Sequence, residues 1–285
     1  MGEILYKYLD DNGGLKMLTY KNLQFTNSEC LNDPFDCHPG LIDFSNVPSE
    51  KTKVWGKDVI EQLESSPYKN LSKYTWICSL SKVHNSILMW SYYRDHEGIC
   101  IGIDKDKAKE CLKRTAHCET MIGCDELEVQ YKDVIQKPDY FHDYDVNWYN
   151  YLLSTKAKEW AHEQEVRLLL ENPVFGLMPM YSTSENNKDG VKKVRLLPNI
   201  SGKCFVSLYL GIRLDEGKKK EIIKAALKAN PEIKIYQMNV DPDAFRLKVD
   251  EIAQSKLLEY LRKPELSKWG YFCERLMKLR KFLKL

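Results

Sequence analysis

Long apolar runs are missing from this 285-residue chain. The longest stretches, such as Ile87 to Trp90 and Val206 to Ile212, fall far short of the roughly 18 to 20 residues that a membrane helix needs. The opening MGEILYKYLDD lacks a basic segment ahead of an apolar core, so a cytoplasmic, unexported protein with no membrane span is expected. No glycine-rich phosphate loop of either standard kind occurs, and no internal repeat. Neither sign of charge dominates: 43 Lys and Arg against 41 Asp and Glu leave a net charge of +2, too little for an overall field that draws in nucleic acid. The nine cysteines include no Cys-x-x-Cys pair, and their odd number excludes a fully paired disulfide frame, so reduced thiols are expected.

What is present is ordinary globular material. With 43% hydrophobic and 29% charged residues the chain is rich enough in apolar side chains to bury a core, which excludes disorder. The pattern predicts a single mixed α/β domain over 1–250 and a C-terminal helical extension over 251–285 with a basic end. Strands are predicted at Ile4 to Tyr8, Trp76 to Leu80, Gly98 to Ile103, Glu128 to Tyr131, Val166 to Leu170, Cys204 to Ile212 and Ile233 to Val240, with an edge strand at Phe245 to Val249. Helices are predicted around Val59 to Leu63, at Ile87 to Tyr93, Asp104 to Leu112, Ser154 to Trp160, Glu216 to Ala229 and Ala253 to Leu261. Asp10 to Gly14 reads as a turn, Asn32 to Asp36 as a tight turn around Pro34, and Ser182 to Lys193 as a polar loop without regular structure. The last residues carry Arg275, Lys278, Arg280, Lys281 and Lys284 with no acid among them, beside Leu276, Leu279, Phe282 and Leu283 at helical spacing. That is a basic amphipathic helix, either docked on the domain with a solvated basic face or offered to nucleic acid or another anionic surface.

The chemistry concentrates in KAKEWAHEQEVRLLL, Lys156 to Leu170. Glu163 and Glu165 are two residues apart before an aliphatic run, and residues i and i+2 of a strand share a face, so the two carboxylates are expected side by side at a strand mouth. Such a pair suits acid/base or charge-stabilising work, because each carboxylate raises the proton affinity of the other. The plainer alternative is structural: one of them pairs with Arg167 or Arg94 and fastens the sheet. Other sets are weaker. Cys37-His38 and His162-Glu163 offer metal-ligand types without paired spacing, and no metal is expected. Ser79, Ser81, His84 and His96 lack a nucleophile elbow. Asp33, Asp36 and Glu163 are the raw material for an Mg²⁺-dependent nuclease.

Taken in order, LYKY at Leu5 to Tyr8, NDPFD at Asn32 to Asp36, CSLS followed by LMWSYYRDHEGICIGID between Cys78 and Asp104, KEWAHEQEVRLL and VSLYLGI resemble the bacterial domain-of-unknown-function family 2971. The likeness runs over roughly residues 4 to 250. In layout the chain also resembles the ADP-ribosyltransferase fold, particularly its DarT-like branch, which modifies DNA. That resemblance implies a split mixed sheet and NAD as substrate. It places Tyr6, Lys7 and Tyr8 on a first strand that meets NAD, with Lys7 where a His, Arg or Asn is usual. Ser79 and Ser81 fall on a second strand, Leu88, Met89 and Trp90 on the helix that follows, and the catalytic glutamate on a third strand at Glu165, with Glu163 upstream. In those roles Glu165 stabilises the charge that builds on the ribose, and Glu163 orients or deprotonates the acceptor. Tyr92 or Tyr93 stacks on nicotinamide, and Ser79 holds the ribose or the amide. The acceptor is water, protein or nucleic acid, in a phage-defence or toxin setting. The alternative function is a non-enzymatic nucleotide or nucleic-acid sensor that reads its ligand through Arg94, exposed tyrosines and the basic tail.

Overall fold

Thirteen strands carry the described part of the chain, which in this computed structural model comprises residues 2–56, 58–59, 61–62, 75–115, 122–171, 182–186 and 192–261. In chain order they are β1 Ile4–Leu9, β2 Phe25–Thr26, β3 Thr75–Ser81, β4 Ile99–Asp104, β5 Ile122–Glu128, β6 Gln130–Lys132, β7 Thr155–Ala157, β8 Glu165–Glu171, β9 Ser182–Asn186, β10 Lys192–Leu196, β11 Phe205–Leu210, β12 Lys234–Val240 and β13 Leu247–Glu251. The helices are α1 Asp11–Tyr20, α2 Ser49–Val54, α3 Ile87–Tyr92, α4 Lys105–Thr115, α5 Trp148–Ser154, α6 Glu216–Ala229 and α7 Gln254–Leu261. The chain divides into a unit Met1–Glu251 and a unit Ile252–Leu285, of which α7 is the described element. The fold is mixed α/β.

Eleven of the strands form one sheet, and a one-pair join near its middle decides where the site lies. β4 is buried along its whole length, as its near-continuous apolar sequence ICIGID requires. It pairs antiparallel with β1 over six residues and with β11 on its other side. β12 runs parallel to β11 after the crossover helix α6, and β13 closes that edge. On the other side β3 and β8 pair antiparallel over seven residues, and β5 extends β8. Between these two blocks β1 meets β3 through one residue pair, Tyr6 opposite Ser81. The sheet is continuous where a split sheet was expected, but it is pinched to a single rung between β1 and β3. Each block has its own core. Cys37, Leu41, Phe44, Ile77, Leu153 and Leu169 pack on the β3/β8 side, and Tyr8, Met89, Trp90, Cys100, Tyr209 and Met238 on the β1/β4/β11 side. Burying one such aliphatic or aromatic side chain is worth about 1.5–3 kcal/mol, so each cluster is a sizeable anchor for its block.

Local chemistry explains most elements and the departures from expectation. The predicted Asp10 to Gly14 turn is the first turn of α1: the Asp10 carboxylate accepts from Gly13 N at 2.6 Å and caps the helix. Gly13 and Gly14 argue for a turn in isolation, but Gly14 serves a close approach, because a Cβ there would stand 2.1 Å from Ile99 Cδ1 of β4. α6 starts at its Asp215 cap and buries Ile222, Ile223 and Ala226 at helical spacing. Ser154 to Trp160, expected as helix, is instead the end of α5, the strand β7 and the start of a 3₁₀ helix Lys158–Glu163. The expected strand Glu128 to Tyr131 breaks at Val129 into β5 and β6. The expected loop Ser182 to Lys193 contains β9 and the start of β10, which pair antiparallel. The helix expected around Val59 to Leu63 is helical at 58–59 and 61–62, and the basic end 275–285 lies outside the described residues.

Candidate active-site cleft

The 3₁₀ helix Lys158–Glu163 ends where Gln164 takes a left-handed conformation at φ 43°, and β8 begins at the next residue, Glu165. Glu163 and Glu165 are therefore not i and i+2 of one strand. They flank a sharp turn, and their carboxylates still converge, because both reach the ammonium of Lys156: Nζ lies 2.5 Å from Glu163 Oε2 and 3.0 Å from Glu165 Oε2. Lys156 is the middle residue of β7, held opposite Tyr131 of β6 in a small two-stranded parallel sheet. Tyr131 in turn accepts the Glu165 amide through its hydroxyl at 2.8 Å.

Arg167, two residues along β8 on the same face as Glu165, is fully buried. Its guanidinium donates to Glu165 from Nε at 3.0 Å and from the second terminal nitrogen at 3.3 Å. It also donates to Asp36 at 2.6 Å, to the Leu153 carbonyl at 2.8 Å and toward Cys37 Sγ at 3.7 Å. Asp36 closes the set from below, 3.9 Å from Lys156 Nζ. The tight turn at Pro34 delivers it: Asp33 accepts the Phe35 amide at 3.0 Å, and Cys37 stands in the left-handed region at φ 57°. Three carboxylates thus face two cations. Burial pushes the Glu165 carboxyl up, but Arg167 and then Lys156 outweigh it and hold it down at about 2. At Glu163 burial wins over Lys156 and the carboxyl is pushed up. Burial works against the Lys156 ammonium, and Glu165 with Glu163 more than offsets it, so Lys156 stays protonated. The Cys37 thiol is pushed up by burial to about 12 despite Arg167, which leaves it a neutral neighbour.

This network forms the floor of a cleft of about 550 Å³ at the pinch between the two blocks. Tyr6, Tyr8, Met89, Tyr92, Tyr93 and Trp160 supply its walls, and the Trp160 ring lies 5.0 Å from Lys156 Nζ, within cation–π range. Most residues singled out from sequence meet here. Tyr6 lines the cleft and packs edge-on against His84 at 5.0 Å. Lys7 spans the pinch, donating to the Ser79 carbonyl at 2.7 Å. Tyr8 donates to the Val83 carbonyl at 3.0 Å and stacks on Tyr93 at 5.9 Å. The Ser79 hydroxyl lies near the Glu165 carboxylate and helps to keep it ionised. Ser81 is committed to structure, donating to the Glu163 carbonyl at 2.7 Å and so fixing the turn that carries the two glutamates.

Two expected ligand-binding residues are not in the cleft lining. Trp90 is wholly buried, with its indole N–H on the His84 carbonyl at 2.8 Å, and is a core residue. Arg94 follows α3 in the left-handed region and pairs with Asp11 at 2.5 Å.

Residues 89–168 match the family described as "Protein of unknown function (DUF2971)". Over that span the chain is similar to DUF2971. The matched segment runs from α3 into β8 and includes Tyr92, Tyr93, Lys156, Trp160, Glu163, Glu165 and Arg167, whereas β1 and Asp36 come from outside it. No curated protein and no solved structure matches the chain. Within the DUF2971 segment, Lys156 is the site residue that sequence reasoning passed over. It looked like one more lysine of a solvated helix, and only the strand break at Thr155 turns it inward. Asp36 was visible in NDPFD as a turn former and as a candidate metal ligand beside Glu163, but not as the partner of Arg167. Among the described residues no group of three or more His, Cys, Asp and Glu side chains is placed to hold a metal, and no helix is long and apolar enough to cross a membrane.

Proposed function

We propose that the cleft binds NAD and that the protein cleaves its nicotinamide–ribose bond, passing ADP-ribose to water or to a nucleophile on protein or nucleic acid. The observation that carries this reading is the divergence of two adjacent carboxylates: Glu165 held far below and Glu163 pushed above the ordinary range, both on the Lys156 ammonium. Paired titratable groups driven apart by their surroundings are how one site assigns a permanent charge and a proton acceptor. When the glycosidic bond breaks, its electron pair leaves with nicotinamide and positive charge develops on the ribose. Glu165, ionised at neutral pH, stabilises that charge. Glu163 takes the proton of the attacking oxygen as the new bond to the ribose forms. The aromatic walls suit a planar cationic ring. The pinched sheet and the place of Glu165 at the start of a strand accord with the resemblance to ADP-ribosyltransferases.

One observation favours a second reading. The Glu165 carboxylate is already engaged by Arg167 twice and by Lys156, with the Ser79 hydroxyl nearby, so of its roughly four lone-pair sites about one is open to a ribose hydroxyl. If no ribose hydroxyl takes it, the network is scaffolding for a cleft that binds a nucleotide or nucleic acid without chemistry. The experiment is incubation of wild type, Glu163→Gln and Glu165→Gln with NAD, following nicotinamide release and the intact mass of the protein and of an added oligonucleotide. Release by wild type, lost in both variants while their thermal unfolding stays cooperative, supports the transferase, and the species that gains mass is the acceptor. No release and no NAD binding by wild type sinks it in favour of the second reading.

A further inference from the structure

Away from the cleft, the sulfurs of Cys111 and Cys204 lie 3.8 Å apart. Cys111 sits in the second turn of α4 and is half-buried. Cys204 is fully buried at the end of the 3₁₀ turn Gly202–Cys204 that leads into β11. Two independent backbone features fix the second position. The Gly202 Cα is so close to the end of α6 that an added Cβ would stand 2.0 Å from the Ala229 carbonyl oxygen, and Cys204 N donates to the Ser201 carbonyl at 2.9 Å. The first position is fixed by α4 packing, with Ala108 and Leu112 buried on either side of Cys111 in the helix. The two thiols are thus carried by packed elements that hold their sulfurs in contact, and the step left to a bond of about 2.05 Å is short.

We propose that Cys111 and Cys204 are a dithiol–disulfide site, closed by a disulfide oxidant of the glutathione type. The half-buried Cys111, as thiolate, attacks one sulfur of the oxidised glutathione. The glutathione S–S bond breaks, one glutathione thiolate leaves, and a mixed disulfide remains on Cys111. Cys204, deprotonated in turn, attacks the Cys111 sulfur and expels the second glutathione thiolate. Two electrons pass from the pair of cysteines to the glutathione disulfide, and the two thiol protons end on the two glutathiones released. Burial and the adjacent Cys111 sulfur push the Cys204 thiol up to about 12, so the second step is the slow one and the order is fixed: capture at Cys111, then closure. The closed form ties α4 to the entrance of β11 across 93 residues of sequence, a loop long enough for a cross-link to restrict the unfolded chain strongly.

The test equilibrates the full chain in glutathione buffers of rising oxidised fraction, quenches with an alkylating agent, and maps peptides by mass. The expected result is a Cys111–Cys204 cross-linked peptide, with two fewer alkylated thiols than in the reduced protein and a melting temperature several degrees higher that a dithiol reverses. Cys111→Ser and, as the variant in the tighter environment, Cys204→Ala each remove the cross-link and the rise. A glutathione adduct that persists on Cys111, or a bond from Cys111 to another cysteine, overturns the proposal. So does a cross-linked peptide with no change in melting temperature, because that pairing would belong to unfolded chains. None of these outcomes depends on whether NAD is a substrate.

Discussion

β4 and β8 lie equally deep in the sheet and hide different things. β4 buries Ile99, Cys100, Ile101 and Ile103, and only its last residue, Asp104, is charged. β8 buries Val166, Leu168, Leu169 and Leu170 to the same degree but places Glu165 and Arg167 among them. Apolar side chains at those two positions would hold the strand at least as well, because the desolvation of a buried ion pair commonly matches or exceeds its attraction. The difference teaches that β4 is built for cohesion, while β8 accepts a less favourable interior at the one stretch that floors a cleft. The cores on the two sides of the pinch differ likewise, one rich in stacked aromatics and the other bordering the ionic floor.

That contrast can be broken most forcefully at Arg167. Arg167→Leu removes the guanidinium that Asp36 and Glu165 share and leaves Lys156 as the one cation of the network for three carboxylates. The expected loss is about 3–5 kcal/mol of stability, seen as a large drop in chemical-denaturation midpoint. A loss below about 1 kcal/mol would mean that the network is not coupled as the distances imply. Next in size, Glu163→Gln removes a carboxylate that holds only Lys156 through its side chain. It should slow nicotinamide release by about 10²- to 10³-fold with little change in melting temperature. An unchanged rate would move Glu163 from chemistry to scaffolding.

Acid sharpens the comparison further. Glu165 is held below its unfolded value of 4.5, so its contribution is complete above that pH and is lost as pH falls from about 4.5 toward about 2. Glu163, pushed above the same unfolded value, acts in the opposite sense: its part declines as pH rises through 4.5 and offsets some of the gain. The expected outcome is a net fall in stability between pH 4.5 and 2 that becomes smaller, without vanishing, when Asp36, Glu165 and Arg167 are together replaced by apolar residues, because Asp104, Glu126, Asp139 and Asp241 are also held below their ordinary values. A fall of equal size in that triple variant would assign the acid sensitivity elsewhere. Smallest of all, Ile101→Val in β4 should cost about 0.5–1.5 kcal/mol and leave any activity on NAD unchanged. A change in rate would show that cohesion and chemistry are not separated between the two strands.

The sequence made β1, β4, β8, β11, β12 and α6 legible because each is a run of apolar residues at one clear period with a recognisable start, such as the Asp215 cap. It concealed α1, since Gly13 and Gly14 lower helix propensity and the approach to Ile99 that explains Gly14 is tertiary. The glutamates were legible as a pair, and so was the structural competition from Arg167. Their geometry was not, because Gln164 breaks the strand period that the argument assumed. Lys156 was illegible as the partner of those glutamates, and Asp36 was grouped with Glu163 only as a metal ligand, not as a member of an ionic network. Lys156 and Asp36 lie 9 and 129 residues from Glu165 in sequence, and nothing short of the tertiary fold brings a lone lysine and a turn aspartate together.

The single rung between β1 and β3 has a mechanical meaning. Elsewhere in the central blocks neighbouring strands share several paired residues and open only together, whereas Tyr6 opposite Ser81, with the Lys7 bond to Ser79, carries the whole seam between β1 and β3. A molecule lodged against Tyr6, Tyr93 and Glu163 touches both banks of that seam and acts as a rivet, so occupancy of the cleft should slow amide hydrogen exchange along β1 and β3 more than in β12 and β13.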